Sequence, residues 1–286
     1  MTTPPAPQAP YQQPAPQQGY QQQGFYTSPI PLRPATLGDA IASEWTKIRS
    51  VRSTMWTLGV MTALLLVIGV LTAVAVSASD SSMNGTPVLS LGFFGVLLGT
   101  ICVITLGVMT IASEYGTGMI RTTLTACPSR GRVLAAKALV FFLLTFVITT
   151  VMTSVVALIQ SSMLDAASPS GEEWLRATVG VGLYVATLGL LALAVGALIR
   201  HSAGAITLMI GLVLLPLVLA LFMFADSLST LREKLLEYSI PNQLSIFYDS
   251  SVTSSGPSGW DPLWIILVVT AVAMGGAYLS MNQRDV

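Results

Sequence analysis

Charge is what this chain has least of. Only 9% of its 286 residues are Asp, Glu, Lys or Arg, where a soluble domain carries about 25%. Histidine is nearly absent as well: His201, beside Arg200 in a short polar turn, stands alone and reads as a turn residue. That excludes an HExxH zinc motif, and neither paired intramembrane acids nor a nucleophile with a neighbouring base takes its place. No GxxxxGK[ST] run occurs, so the chain does not hold ATP in the manner of a P-loop. Its two cysteines, Cys102 and Cys127, lack metal-ligand spacing and read as free thiols. Lys plus Arg balance Asp plus Glu at 13 each, which gives no reason to expect a nucleic-acid partner. The N-terminal stretch lacks the apolar core of a signal sequence. It is rich in Pro and Gln, with Tyr11, Tyr20 and Tyr26 interspersed, and cannot bury enough surface to offset the entropy of ordering. Residues 1–35 are therefore expected to form a disordered cytoplasmic tail.

Apolar residues, by contrast, make up 53% of the chain and fall in long blocks. Six blocks stand out, at about 54–77, 88–112, 138–160, 178–199, 203–225 and 263–281. Each is long enough to cross a bilayer, which takes about 20 residues of helix. None contains Asp, Glu, Lys, Arg or His. The reading is an all-α membrane protein whose six transmembrane helices occupy residues 36–286. With both termini in the cytoplasm, ten Lys and Arg residues fall on inner segments and three on outer ones, namely Arg176, Arg232 and Lys234. The positive-inside rule selects that orientation.

Ahead of the first block, Thr36 with Asp39 three residues on forms a capping-box-like helix start. Leu37, Ile41, Trp45 and Ile48 then recur at helical spacing, while Asp39, Glu44, Lys47 and Arg49 occupy other faces. Such a helix suits the membrane interface, with Trp45 at headgroup depth and Lys47, Arg49 and Arg52 toward anionic lipid. A plain cytoplasmic extension of the first span is the blander alternative. Between blocks five and six, Leu228, Leu231, Leu235 and Leu236 alternate with charged residues until Pro241, so a short amphipathic helix is expected to fold back as an outer cap. Gly182, Ala186, Gly189, Ala192 and Gly196 give the fourth block a small-residue face for close helix packing, and Gly95 and Gly99 form a GxxxG in the second.

The inner loop between blocks two and three carries the densest signal. It opens Glu114-Tyr115-Gly116-Thr117-Gly118, where the glycines permit a sharp reversal. Met119 to Thr125, including Arg121 and Thr122, is expected to form a short helix stopped by Pro128. Arg130, Arg132 and Lys137 then anchor the third span at the headgroups. Positive-inside anchoring explains the basic residues, but not the Gly-rich turn, the helix and the Pro stop.

The run from Glu114 to Lys137 resembles the first cytoplasmic loop of ATP-binding cassette type-2 (ABC-2) transporter permeases of the bacterial type. The segment from Ser43 to Ser53, with Glu44, Trp45, Lys47, Arg49 and Arg52, resembles their N-terminal elbow helix. With six spans and a long outer loop before the last, the likeness covers residues 36–286. It implies a membrane subunit of an exporter, not itself an enzyme, in the bacterial plasma membrane. The implied partners are a separate ABC ATPase that holds the ATP and magnesium, and a second permease chain in a homo- or heterodimer. The loop from Glu114 to Arg132 is then the ATPase-coupling helix, the elbow helps to seat the ATPase, and Leu228, Leu231 and Leu235 cap the exit path. This chain itself holds no cofactor.

The uncharged blocks agree with that implication. Ion coupling usually places a titratable or liganding group within the spans, so energy is expected to enter from the inner face. An ion-coupled secondary transporter or channel, and a non-transporting membrane anchor for an ATPase, remain the alternatives. Met109, Met152, Met209, Phe222 and Met223 suit a hydrophobic or amphipathic cargo, and equally suit lipid contact or packing.

Overall fold

The computed structural model describes residues 34–79, 86–164, 168–251, 253 and 255–283. The chain divides into two units, Met1–Pro34 and Ala35–Val286. The expected tail therefore lies almost wholly outside the described residues, and every described helix belongs to the second unit.

Among the described residues there are helices and turns but no strand. Six helical stretches are long and apolar enough to cross a membrane: Arg52–Ala78, Val88–Thr117, Arg130–Met163, Gly171–Ile199, Ser202–Phe222 and Asp261–Gln283. They correspond one to one with the six apolar blocks, but several run past them. Helix α3 (Phe93–Thr117) continues through Glu114. Helix α5 (Arg130–Met163) starts early enough to include Arg130, Arg132 and Lys137. The blocks are free of charge, whereas the helices are not.

Helix α1 (Leu37–Ser50) begins with the expected box: the Asp39 amide donates to Thr36 Oγ1 at 3.3 Å, and the Thr36 amide donates to Asp39 Oδ2 at 2.9 Å. Val51 is extended and α2 (Arg52–Ala78) follows at once. Beyond α3 come α4 (Met119–Ala126), α5, α6 (Gly171–Leu175) and α7 (Val181–Ile199). One π-helical turn, Arg176–Gly180, joins α6 to α7. After α8 (Ser202–Phe222) the chain forms α9 (Ser229–Glu237), α10 (Ile240–Ile246) and α11 (Asp261–Gln283).

Helix α7 packs against α3, α5, α8 and α11 and is the most enclosed of the crossing helices. Its small residues explain this, because helices in lipid gain little from excluding apolar surface and associate where backbones approach closely. A Cβ on Gly189 would stand 2.6 Å from Phe141 of α5 and 2.8 Å from Val103 of α3. A Cβ on Gly107 would strike the Gly189 carbonyl. Gly95 plays the same part between α3 and α2, where a Cβ would lie 3.1 Å from the Leu65 carbonyl. Large apolar side chains cover the outside instead, among them Val67 and Leu71 on α2, Leu215 and Phe222 on α8, and Val268 and Val272 on α11. So broad an apolar surface suits hydrocarbon and would aggregate in water.

Cross-contacts fix which helix ends lie together. Arg130 at the start of α5 donates to the Met281 carbonyl near the end of α11. Arg200, just past α7, donates to the Ser280 carbonyl at 3.2 Å and stands over the Tyr115 ring at 4.8 Å. These contacts, with α1 and α4, define a basic end of the bundle. At the opposite end lie α6, α9 and α10.

Candidate functional site

At the basic end, α1, α3, α4 and α5 converge on a buried cluster of charge. Ile41, Glu44, Lys47 and Ile48 share one stripe of α1, spaced three and four apart, and this stripe turns toward the bundle. Trp45, on the flank of that face, is 44% exposed, and Arg49 and Arg52 are exposed. The expected grouping of charged residues on the outer faces is therefore wrong for Glu44 and Lys47, which point inward.

The reason is electrostatic. Lys137 Nζ donates to Glu44 Oε2 at 2.9 Å, to Glu114 Oε1 at 2.6 Å and to the Thr110 carbonyl at 3.3 Å. Lys47 Nζ donates to Glu44 Oε1 at 2.7 Å, to Glu114 Oε1 at 2.8 Å and to Thr123 Oγ1 at 3.3 Å. An ammonium has three N–H donors, and here each ammonium uses all three. Two carboxylates and two ammoniums sum to zero, so the quartet is neutral. Its members are nearly sealed from water: the Lys137 side chain is 0% exposed, Glu114 3% and Glu44 6%, while Lys47 keeps 27%. Burial pulls the Lys47 ammonium down, but the hydrogen bonds and charges of Glu114 and Glu44 outweigh it, and its pKa stands above 10.5.

Lys137 is thus not a headgroup anchor. Neither Arg130 nor Arg132 needs lipid for a partner, since Arg130 binds the Met281 carbonyl and Arg132 Nη1 donates to the Ala35 carbonyl at 2.6 Å. The sequence placed Lys137 at the right helix end but missed its burial. The signal was there: Glu44 and Lys47 sit on the same i, i+3/i+4 stripe as Ile41 and Ile48.

The loop itself takes nearly the expected form. Gly118, with φ +72, provides the left-handed turn, whereas Gly116 stays helical within α3. Helix α4 then runs to Ala126 and stops at Cys127, just before Pro128. Arg121, Thr122 and Pro128 are exposed, and Tyr115 is half-buried beneath Arg200. Thr123 ties α4 to the quartet, since its Oγ1 accepts from Lys47 and donates to Glu114 Oε2 at 3.5 Å. Between α1 and α4 a cleft of about 380 Å³ opens, lined by Asp39, Ser43 and Lys47 on one side and Met119, Thr122 and Thr123 on the other.

At the opposite end the expected cap is rearranged. Leu228 is 41% exposed and Leu231 53%, while Leu235 is half-buried. These leucines do not form a face sealed against the bundle. The buried element is α10, every residue of which is enclosed. Pro241 ends the α9 pattern as expected but also opens α10, because its fixed φ suits the first turn, where its missing N–H costs nothing.

The family model described as "ABC-2 family transporter protein" matches residues 40–224, well over half of the chain. The chain belongs to the ABC-2 transporter family. It is therefore an ABC-type permease and a multi-pass membrane protein. The matched segment contains all four members of the quartet together with α4, and it stops before α9, α10 and α11. No curated protein matches the chain.

Proposed function

We propose that this ABC-2 permease is the membrane half of an exporter, driven by a separate ABC ATPase that docks at the basic end. The observation that carries this reading is the neutral quartet, which locks α1, α3, α4 and α5 into one unit. A force applied to exposed α4 or to α1 has few soft elements in which to dissipate before it reaches the long helices. Arg121 on α4, the exposed Arg49 and Arg52, and the cleft between α1 and α4 offer the docking surface. The excess of Lys and Arg supports placing this end in the cytoplasm of a bacterial plasma membrane. The uncharged apolar blocks favour a hydrophobic or amphipathic cargo, and outward movement rests on the family resemblance alone. ATP and magnesium belong to the partner, and a second permease chain completes the path.

The test is affinity purification of the full chain from its native membrane. A co-purifying subunit that hydrolyses ATP is expected, and Arg121→Glu should abolish both its retention and its stimulated hydrolysis. Transport in vesicles driven by an ion gradient without ATP would overturn the reading in favour of a secondary transporter. ATPase retention without any ATP-dependent transport would leave only a membrane anchor.

A further inference from the structure

A second cavity, of about 150 Å³, borders the quartet where α1 turns into α2. Its lining is of two kinds. Ile48, Leu106 and Met109 give it an apolar wall, while Ser53 and Thr54 from the first turn of α2 give it a polar one. Lys47 also borders it but has no N–H to spare, since all three are used within the quartet. The Ser53 and Thr54 hydroxyls, by contrast, make no hydrogen bond among the described residues.

Most cations at this end are held by the protein itself. Lys47 and Lys137 face carboxylates, and Arg130, Arg132 and Arg200 donate to backbone carbonyls. Arg49, Arg52 and Arg121 are exposed and make no ion pair among the described residues. Of these three, only Arg52 lies within the run from Val51 to Thr54 that borders the cavity. The quartet is neutral, so Arg52 sets the sign of the charge there. Trp56, 76% exposed, follows about one helical turn later. Such exposed rings gather where hydrocarbon meets headgroups, which puts Arg52 and the cavity at headgroup depth.

We propose that this cavity is a phospholipid site, in which Arg52, Ser53 and Thr54 bind the phosphate of an anionic lipid and Leu106 and Met109 receive the first carbons of its chains. The proposal rests on the chain being a membrane protein and not on the exporter reading. A free anion would lose water against the apolar wall and gain nothing from it, whereas a lipid matches both walls. An unpaired arginine at this depth favours an anionic headgroup over a zwitterionic one. Val51, extended, is the only residue between α1 and α2, so a lipid here would brace that corner against α3. Arg49 and Arg121 stay available to a docking partner.

The test uses the full chain, purified in detergent and stripped of lipid. Phosphatidylglycerol, phosphatidylcholine of the same chain length and inorganic phosphate are each added in series. Bound lipid per chain is counted by native mass spectrometry, and the heat-unfolding midpoint is followed alongside. Phosphatidylglycerol should be retained and should raise the midpoint. Arg52→Ala should weaken its binding about fivefold, the factor that about 1 kcal/mol gives. Met109→Trp fills the apolar wall from a position already 38% exposed, and should weaken binding with the charge intact. Arg121→Ala makes the same change of charge outside the cavity and should bind like the parent. The midpoint of each variant without lipid shows whether it folds. Equal retention of phosphatidylcholine, equal stabilisation by inorganic phosphate alone, or an equal loss in Arg121→Ala overturns the site, as does parent-like binding in Arg52→Ala or Met109→Trp. None of these readouts involves an ATPase, so the site and the exporter reading can fail separately.

Discussion

Replacing Lys137 with Met keeps the bulk of the side chain and removes its charge from a site that is 0% exposed. Glu44 and Glu114 would then share Lys47 alone, and the cluster would pass from neutral to one buried negative charge. Bulk solvent does not reach Lys137's position to compensate. Removing one partner of a buried ion network costs about 3–5 kcal/mol. For a chain of this size that corresponds to a fall in midpoint of roughly 6–20 °C. The measurement is heat stability of the detergent-solubilised full chain, followed as the monodisperse fraction on size exclusion. Adding Glu44→Gln to Lys137→Met restores neutrality, with Lys47 facing Glu114, and should recover more than half of the loss. That recovery separates charge balance from packing, because the double variant alters more atoms than the single one. A Lys137→Met protein as stable as the parent, or a double variant less stable than the single, would refute the idea that neutrality holds this corner together.

Two further outcomes follow, one from the quartet and one from the close packing of α3 on α7. Because the folded pKa of Lys47 lies above its unfolded value of 10.5, the quartet's contribution through Lys47 is complete below that pH and is lost as pH rises past it. Stability should therefore fall above about pH 10.5 in the parent and less steeply in Lys47→Met, and equal slopes in a pH series of melts would contradict this. Gly107→Ala drives a methyl into the Gly189 carbonyl, which cannot swing aside, and should cost about 1–3 kcal/mol of heat stability. Gly211→Ala, with nothing within 4 Å of its Cβ, should be neutral or slightly stabilising, and a loss there as large as at Gly107 would sink the close-packing argument.

The six crossings were legible because hydrocarbon imposes a coarse rule: about 20 apolar residues per helix. The α1 cap and the α4 helix were legible because they depend on local chemistry, the Thr36–Asp39 box and the left-handed Gly118. What escaped the sequence is tertiary. Lys137 follows a basic loop and reads as one more inner anchor. Only the placement of Glu44 and Glu114, 93 and 23 residues away, makes it a core residue. Likewise the leucines of α9 form an apolar stripe, yet burial went to α10, where polar Asn242, Gln243 and Ser245 interrupt the apolar pattern. For Lys137 long-range partners reversed what side-chain type suggested, whereas Asn242 and Gln243 are satisfied largely by the nearby carbonyls of Glu237 and Tyr238.

The two ends of the bundle differ in a way that bears on the proposed mechanism. The basic end is held by a largely buried, neutral quartet in which every ammonium donor is used, so its elements are tied to move together. At the opposite end Arg176, 12% exposed, pairs with both carboxylate oxygens of Asp249, 39% exposed. Helix α7 connects them. Near the basic end a Cβ on Gly196 would lie 3.0 Å from the Val108 carbonyl of α3, and midway Gly189 and Gly107 bring the two backbones together. Near the other end Gly180 abuts Phe247 beneath α10. On the exporter reading, a shift of α3 imposed through α4 has little slack along this seam. It would be carried along α7 toward the contact of Gly180 with Phe247 rather than absorbed between the helices.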